Sequence, residues 1–324
     1  MKVLMTGVTG FIGRWMVEEA LRRGWAVTAL VRPGRGAPLR RLERDGADIR
    51  VLGLCPHAWQ EGLRSATFDV AVNLVGPGRD SWVTNWRANV EYVRQLSDFL
   101  SQRVVGRVVH FSSVAVYGTS AREKGAVIRE DDRLAPDDWY GVTKVLGERT
   151  WRAFHGKTGI PVTILRPSWV IGRGSRLLDR HLVAAARAGL LVRMLPRAPF
   201  NGIFVRDVVR AALMAIDNES GGFRVYNVNA AAGEFGEFIE ALRSEVPRAK
   251  IPLWLPEVAV RALAWRFGSL RFFLSGVRID ATKAMRELRF IPQYSAKSLV
   301  RELICSYAGD TVSPVSFGSE VSPE

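Results

Sequence analysis

Short, uniformly apolar runs alternate with amphipathic stretches through the first half of the chain. Lys2-Val-Leu-Met-Thr6 reads as a strand buried on both faces, and residues 11–23 repeat their apolar positions at helical spacing before Gly24 stops them. The same reading predicts strand 26–31, a helix near 37–45, strand 48–52, a short helix near 57–65, strand 69–74, helix 82–102, strand 107–112, helix 139–157 and strand 161–166. Strands without polar alternation, each followed by a helix, predict an α/β fold built on a doubly wound parallel sheet. After Pro167 the pattern loosens into a basic helix over 177–190, the loop PRAPFNG, and a return to strand–helix–strand over 203–230. Two or three helices then fill 231–308, and the Ser-, Val-, Pro- and Glu-rich tail is expected to be disordered.

The turn between the first strand and helix, Gly7-Val-Thr9-Gly10-Phe11-Ile12-Gly13, has the spacing of a phosphate-binding loop. Gly7 allows the tight turn, Gly10 lets a pyrophosphate approach the backbone, and Gly13 lets helix and strand pack closely. The phosphates then sit on the positive end of the helix dipole.

Tyr140 and Lys144 stand four residues apart in WYGVTK and share a helix face, which brings the ammonium within a few ångströms of the phenol. A positive charge there favours the phenolate and suits Tyr140 to proton transfer. Ser113 follows the run Val108-Val-His-Phe-Ser112, at the carboxyl end of a predicted parallel strand, where active sites of open sheets gather. Taken singly, an exposed Tyr–Lys pair or a turn serine needs no function; their order behind a glycine turn gives them one.

With these motifs in place the chain resembles the extended short-chain dehydrogenase/reductases, of the NAD-dependent epimerase/dehydratase type. The resemblance covers roughly residues 1–308 and rests on TGVTGFIG, Asn73-Leu74-Val75-Gly76, FSSVAVYG (111–118), YGVTK (140–144), LRPSWVIG (165–172) and IFVRDVVRA (203–211). It implies a Rossmann-type domain for a nicotinamide cofactor, residues 1–166 plus 203–230, and a smaller substrate lobe, residues 167–202 plus 231–308. It also implies a catalytic set of Ser113, Tyr140 and Lys144, with Ser113 rather than Ser112 in the serine position. Cofactor contacts are expected from the glycine turn, Asn73 to Gly76, Asn89, Tyr140, Lys144, Pro167 and Val170. Asn89 reads equally well as a helix-surface residue. Substrate contacts are expected from a loop around 79–86, from Val114 and Ala115, Ser168, Arg176 and Asn201, the last two as holders of a nucleotide diphosphate. A homodimer through helices 82–102 and 139–157 is also implied.

Three departures from the family pattern shape the function. Family members using NAD commonly end the second strand with an acid; here Val31 stands there, followed by Arg32 and, after Pro33-Gly34, Arg35. An acid repels a 2′-phosphate and arginine grips one, so NADP(H) is expected over NAD(H), with Arg32 the main contact. Ser113-Val114-Ala115 replaces the Thr-Asp-Glu of dehydratases, which disfavours water removal. Leu54 replaces an aspartate that often touches adenine. A carbonyl reductase is therefore the leading expectation, with a nucleotide-sugar epimerase holding tightly bound NAD and a non-catalytic NADPH-binding scaffold as alternatives.

Charge changes the picture only slightly. The formal net charge of +14 attracts anionic, phosphate-bearing substrates, but the arginines are scattered and no nucleic-acid-binding motif accompanies them. Cys55 and Cys305 lie far apart and outside any CxxC, so neither a disulfide framework nor a metal site is expected, and a reducing, cytoplasmic compartment is. No secretory signal or membrane-spanning run is expected. The stretch 251–276, rich in Trp, Leu and Phe, reads as a lobe helix packing on the core, with a helix lying on a membrane surface as the alternative.

Overall fold

A computed structural model describes residues 1–32, 42–50, 56–64, 66–78, 80–175, 183–184, 186–188, 190–193, 197–230, 233–246, 251–254, 256–266, 272 and 274–307. Its strands are β1 Lys2–Thr6, β2 Ala26–Leu30, β3 Asp48–Arg50, β4 Phe68–Asn73, β5 Val105–Phe111, β6 Val127–Ile128, β7 Val162–Pro167, β8 Trp169–Ile171, β9 Leu190–Arg193, β10 Gly202–Phe204, β11 Phe223–Val228, β12 Ile251–Trp254 and β13 Arg278–Ile279. The helices are α1 Phe11–Arg22, α2 Pro56–Gly62, α3 Trp82–Trp86, α4 Tyr92–Leu100, α5 Trp139–Thr158, α6 Val205–Asp217, α7 Phe235–Glu245, α8 Glu257–Arg266, α9 Thr282–Glu287 and α10 Ala296–Tyr307.

Seven strands form one sheet in the order β11-β7-β5-β4-β1-β2-β3, every neighbouring pair parallel. This is the Rossmann-like α/β sheet that the uniformly apolar runs predict. Successive residues alternate between two cores: Val3, Met5, Val72, Val109 and Leu165 pack on one face, and Leu4, Ala71, Val108 and Ile164 on the other. Both faces are covered, so neither strand face can be polar. The chain winds from β1 outward to β3 and then crosses to β4 on β1's other side. The carboxyl ends of β1 and β4 therefore diverge at a topological switch point, where ligands of open sheets bind.

The rest of the chain adds small parallel pairs, β8 with β10, β9 with β12 and β6 with β13. The last of these joins the loop after β5 to the carboxyl-terminal region. Two expectations are corrected here. Helix 82–102 is interrupted by a π-helical turn, Arg87–Glu91, between α3 and α4. The stretch 251–276 is not one helix: Ile251–Trp254 is a strand paired residue for residue with Leu190–Arg193, and α8 begins only at Glu257. Among the described residues no helix is long and apolar enough to cross a membrane. Most of the expected basic helix 177–190 and the tail after Asp310 lie outside the described residues.

Candidate active site

The crevice begins where β1 ends. Gly7 takes φ +75°, and a Cβ on it would fall 2.6 Å from the Leu74 carbonyl carbon, so only glycine lets the exits of β1 and β4 lie side by side. A Cβ on Gly13 would fall 2.2 Å from the Gly7 carbonyl oxygen: the helix presses directly on the turn, tighter than a simple helix-on-strand packing. At Gly10 a Cβ would meet only the Gly7 oxygen, at 3.0 Å, and the turn is otherwise open on that side. Gly10 caps α1 without a side-chain hydrogen bond, so the first-turn N–H groups of α1, at Phe11 and Ile12 after Thr9, receive no acceptor from a capping side chain.

Beneath the crevice Asn73 ties the strand ends together. Its Oδ1 accepts from the Thr6 hydroxyl (2.8 Å) and the Val75 amide (3.1 Å), and its Nδ2 reaches His110 Nδ1 (3.1 Å). An amide donor on Nδ1 puts the ring proton on Nε2. Burial first, and then the charge of Lys144, hold the His110 pKa well below its usual value. The Asn73 side chain is thus committed to the fold, and Leu74, Val75 and Gly76 lead the chain out over the crevice.

Ser112 and Ser113 point to different tasks. The Ser112 hydroxyl is buried and donates to Glu148 Oε1 at 2.5 Å, whereas Ser113 is half-buried and caps the short 3-10 helix Val114–Tyr117, accepting from the Ala115 amide at 3.2 Å. That turn meets the start of α5, where Asp138 caps the helix by accepting from Gly141 N at 2.8 Å. A Cβ on Gly141 would lie 2.5 Å from the Ala115 carbonyl oxygen, so the residue after Tyr140 is glycine because the Ser113 turn packs against it. Sequence reasoning passed over Gly141, although a glycine inside a predicted helix is the signal for such an approach.

Lys144 lies on α5 one turn after Tyr140, its Nζ 5.9 Å from the centre of the Tyr140 ring. The ammonium is buried and donates to the Phe111 carbonyl at 2.9 Å. Burial lowers its pKa to about 8, against an upward pull from Glu148. A Cβ on Gly76 would lie 3.0 Å from Lys144 Nζ and 3.7 Å from Asn89 Oδ1, so these three residues converge on one point. Asn89 is buried at 1% exposure, which removes the helix-surface reading. Its Nδ2 donates to Thr143 (3.0 Å) and to Asn85 (3.3 Å), while its Oδ1 is buried without a partner.

A buried ion pair lies under the catalytic candidates and was not seen in the sequence. Arg166 at the end of β7 grips Glu148 through Nε (2.9 Å) and Nη2 (2.6 Å), and its Nη1 donates to the Tyr117 hydroxyl (2.7 Å). Tyr117 donates onward to Asn227 on β11 (2.7 Å), and burial pushes its pKa up to about 12. Glu148 follows Lys144 by four residues, so this network sets the face of α5 that carries the lysine.

The remaining candidates divide. Val114 is buried and Ala115 half-buried in the Ser113 turn; Pro167 and Val170 are buried at the end of β7 and in β8. Two expected substrate contacts hold the protein together instead. Asn201 Nδ2 donates to the Val277 carbonyl (2.8 Å) and its Oδ1 accepts from Ile279 N (3.0 Å), while the Ser168 hydroxyl donates to Asn229 (2.7 Å). Arg32 is exposed, one residue past buried Val31. Arg35, Leu54 and Arg176 lie outside the described residues.

The fit to a dinucleotide rests on three features together: the open turn at Gly10, the uncapped start of α1, and the unpartnered Asn89 oxygen beside Lys144. Known proteins resemble the chain over nearly all of its length. Sterol demethylase protein B of Methylococcus capsulatus is 27% identical over 90% of this chain and 94% of its own. Cinnamoyl-CoA reductase CAD2 of Medicago truncatula is 26% identical over 77% of this chain and 82% of its own. The solved UDP-glucuronic acid 4-epimerase from Bacillus cereus, in complex with UDP-glucuronic acid and NAD, superposes with a TM-score of 0.77 at 20% identity, covering 94% of this chain and 98% of that one, a likeness of fold. The profile of the NAD dependent epimerase/dehydratase family matches residues 3–229, and the chain belongs to that family.

Proposed function

We propose that the protein is an NADP(H)-dependent oxidoreductase that reduces a carbonyl with Tyr140 as proton donor. The observation that carries the choice of cofactor is Arg32: where an NAD enzyme commonly ends the second strand with an acid, this chain has buried Val31 and, directly after it, an exposed guanidinium. The names of the reductase relatives support the direction of the chemistry, and the NAD in the solved epimerase supports the competing reading.

In this reading a bound nicotinamide dinucleotide supplies the hydride. The turn Gly7 to Gly13 receives the pyrophosphate on the α1 terminus, and Arg32 the 2′-phosphate. Lys144 Nζ, with the Phe111 carbonyl as one acceptor and two donors to spare, holds the ribose hydroxyls and places positive charge beside Tyr140. Ser113 Oγ accepts one backbone N–H and keeps its own proton to orient the substrate oxygen, to which Tyr140 gives its proton. The cation next to the phenol stabilises the phenolate left behind.

Purified protein tests this directly. Equilibrium titration is expected to show NADPH binding more tightly than NADH, with Arg32→Ala losing about tenfold in NADPH affinity, one charge-assisted contact. NAD⁺ retained through purification, or equal affinities for the two cofactors, would move the reading to the epimerase. A homodimer through α3, α4 and α5 belongs to the same reading, and light scattering checks it.

A further inference from the structure

Three tryptophans meet beside the proposed proton donor. Trp139 opens α5 immediately before Tyr140, Trp82 opens α3, and their ring centroids are 4.8 Å apart at 55°. Trp86, one turn along α3, lies 5.1 Å from Trp82 and anchors its indole N–H on Glu91 at 3.1 Å. Trp139 is 62% exposed, Trp82 39% and the adjoining Val83 53%. Indoles in contact with one another and yet left in water form an apolar surface of a kind that marks binding sites.

The position of the cluster says what it binds. Trp82 lies six residues after Gly76, which sits beside Lys144 Nζ, and Trp139 follows the Asp138 cap whose carboxylate accepts from Gly141 N. The exposed indoles thus begin one residue before the proposed proton donor, with Trp82 packed on Trp139. Of the residues expected to hold a nucleotide diphosphate, Asn201 is the one among the described residues, and both ends of its amide serve Val277 and Ile279. A sugar nucleotide needs charged and hydrogen-bonding partners, whereas a flat hydrocarbon skeleton needs aromatic faces.

We infer that Trp82, Trp86 and Trp139 form an aromatic wall at the mouth of the site, and that the substrate is an apolar, fused-ring carbonyl compound rather than a nucleotide sugar. The inference rests on the reductase reading for the carbonyl, but not for the wall.

The test is calorimetric binding to the full chain with NADP⁺ present, using androstane-3,17-dione and UDP-glucose as probes. The diketone is expected to bind at least about tenfold more tightly than UDP-glucose. Trp139→Ala and Trp82→Ala are each expected to lose about tenfold for the diketone, Trp139→Phe less than about threefold, with NADPH affinity unchanged. Tighter UDP-glucose binding, or a diketone affinity untouched in both alanine variants, overturns the wall. So does a dimer that the alanine variants split in light scattering, since the indoles would then be a subunit contact. Diketone binding that depends on the indoles but oxidises no NADPH supports the wall and overturns the reductase reading. Ketone-dependent NADPH oxidation insensitive to both substitutions does the reverse.

Discussion

Helix α5 offers the same substitution at three places with three different outcomes. Gly141, Gly147 and Gly156 each weaken an interior helix position by up to about 1 kcal/mol relative to alanine, so alanine gains wherever space allows. At Gly156 nothing lies within 4 Å of an added Cβ, and Gly156→Ala is expected to stabilise the protein with no change in activity. At Gly141 the Cβ would sit 2.5 Å from the Ala115 oxygen and 2.7 Å from Pro136 Cβ, against the 3.4 Å where ordinary contact begins. The shortfall at the carbonyl, 3.4 minus 2.5, is 0.9 Å, and both obstacles are backbone or ring atoms that cannot rotate away. The start of α5 must therefore move, carrying Tyr140 away from Ser113, and a misplacement on the order of 1 Å costs roughly a hundredfold in rate. Gly147→Ala falls between, with its Cβ 2.7 Å from the Asn89 carbonyl at the π-helical turn. Urea denaturation and kcat/KM of the three variants check the series. Gly141→Ala with parental kcat/KM and a gain in stability matching Gly156→Ala would refute the packing argument.

Three further outcomes follow from buried polar groups. Lys144 has a folded pKa of about 8 against an ordinary 10.5, so between those pH values the unfolded chain binds the extra proton and stability contributed by this group rises with pH, by on the order of 3 kcal/mol. The difference between wild type and Lys144→Met in urea denaturation should show that rise from pH 8 to 10.5 and be flat below pH 7; a flat difference throughout contradicts the burial. Arg166→Met strands the Glu148 carboxylate and is expected to cost about 3–5 kcal/mol, while Arg166→Met with Glu148→Met costs much less; additive losses in the denaturation cycle would mean the two side chains act independently. Asn201→Leu leaves the Val277 carbonyl and the Ile279 amide unpaired and should destabilise by about 2 kcal/mol without altering cofactor affinity, measured by denaturation and NADPH titration.

What the sequence made legible was whatever is local. The runs Val3–Met5, Val108–Val109 and Ile164–Leu165 are apolar on both faces because helices cover both faces, and that burial is written in each of these residues. The Tyr140–Lys144 spacing likewise needs only one helix. What stayed hidden depends on partners far along the chain. Ile251–Trp254 is apolar enough for a helix and becomes a strand because it pairs with Leu190–Arg193. Asn201 looks like a ligand-facing asparagine until residues 277–279 arrive to use both its ends. Asn89 shares its helix face with buried Asn85 and Val93, but the Thr143 hydroxyl that receives its amide lies 54 residues further along the chain.

The Glu148–Arg166 pair shows how the two kinds of information combine. Glu148 stands four residues after Lys144, a local fact, and its lone carboxylate near a buried ammonium would read as the lysine's own counter-ion. Arg166 changes that assignment: it takes both carboxylate oxygens, and Ser112 shares one of them. Counted together, Lys144, Glu148 and Arg166 carry one net positive charge in a buried cluster. Among the described residues the lysine's direct acceptor is the Phe111 carbonyl, so that charge is directed upward, toward Gly76, the unpartnered Asn89 oxygen and the Tyr140 ring. In the proposed function this cation serves a ligand's hydroxyls and the neighbouring phenol, and the ion pair beneath, invisible in the spacing, leaves Glu148 only a partial pull on it.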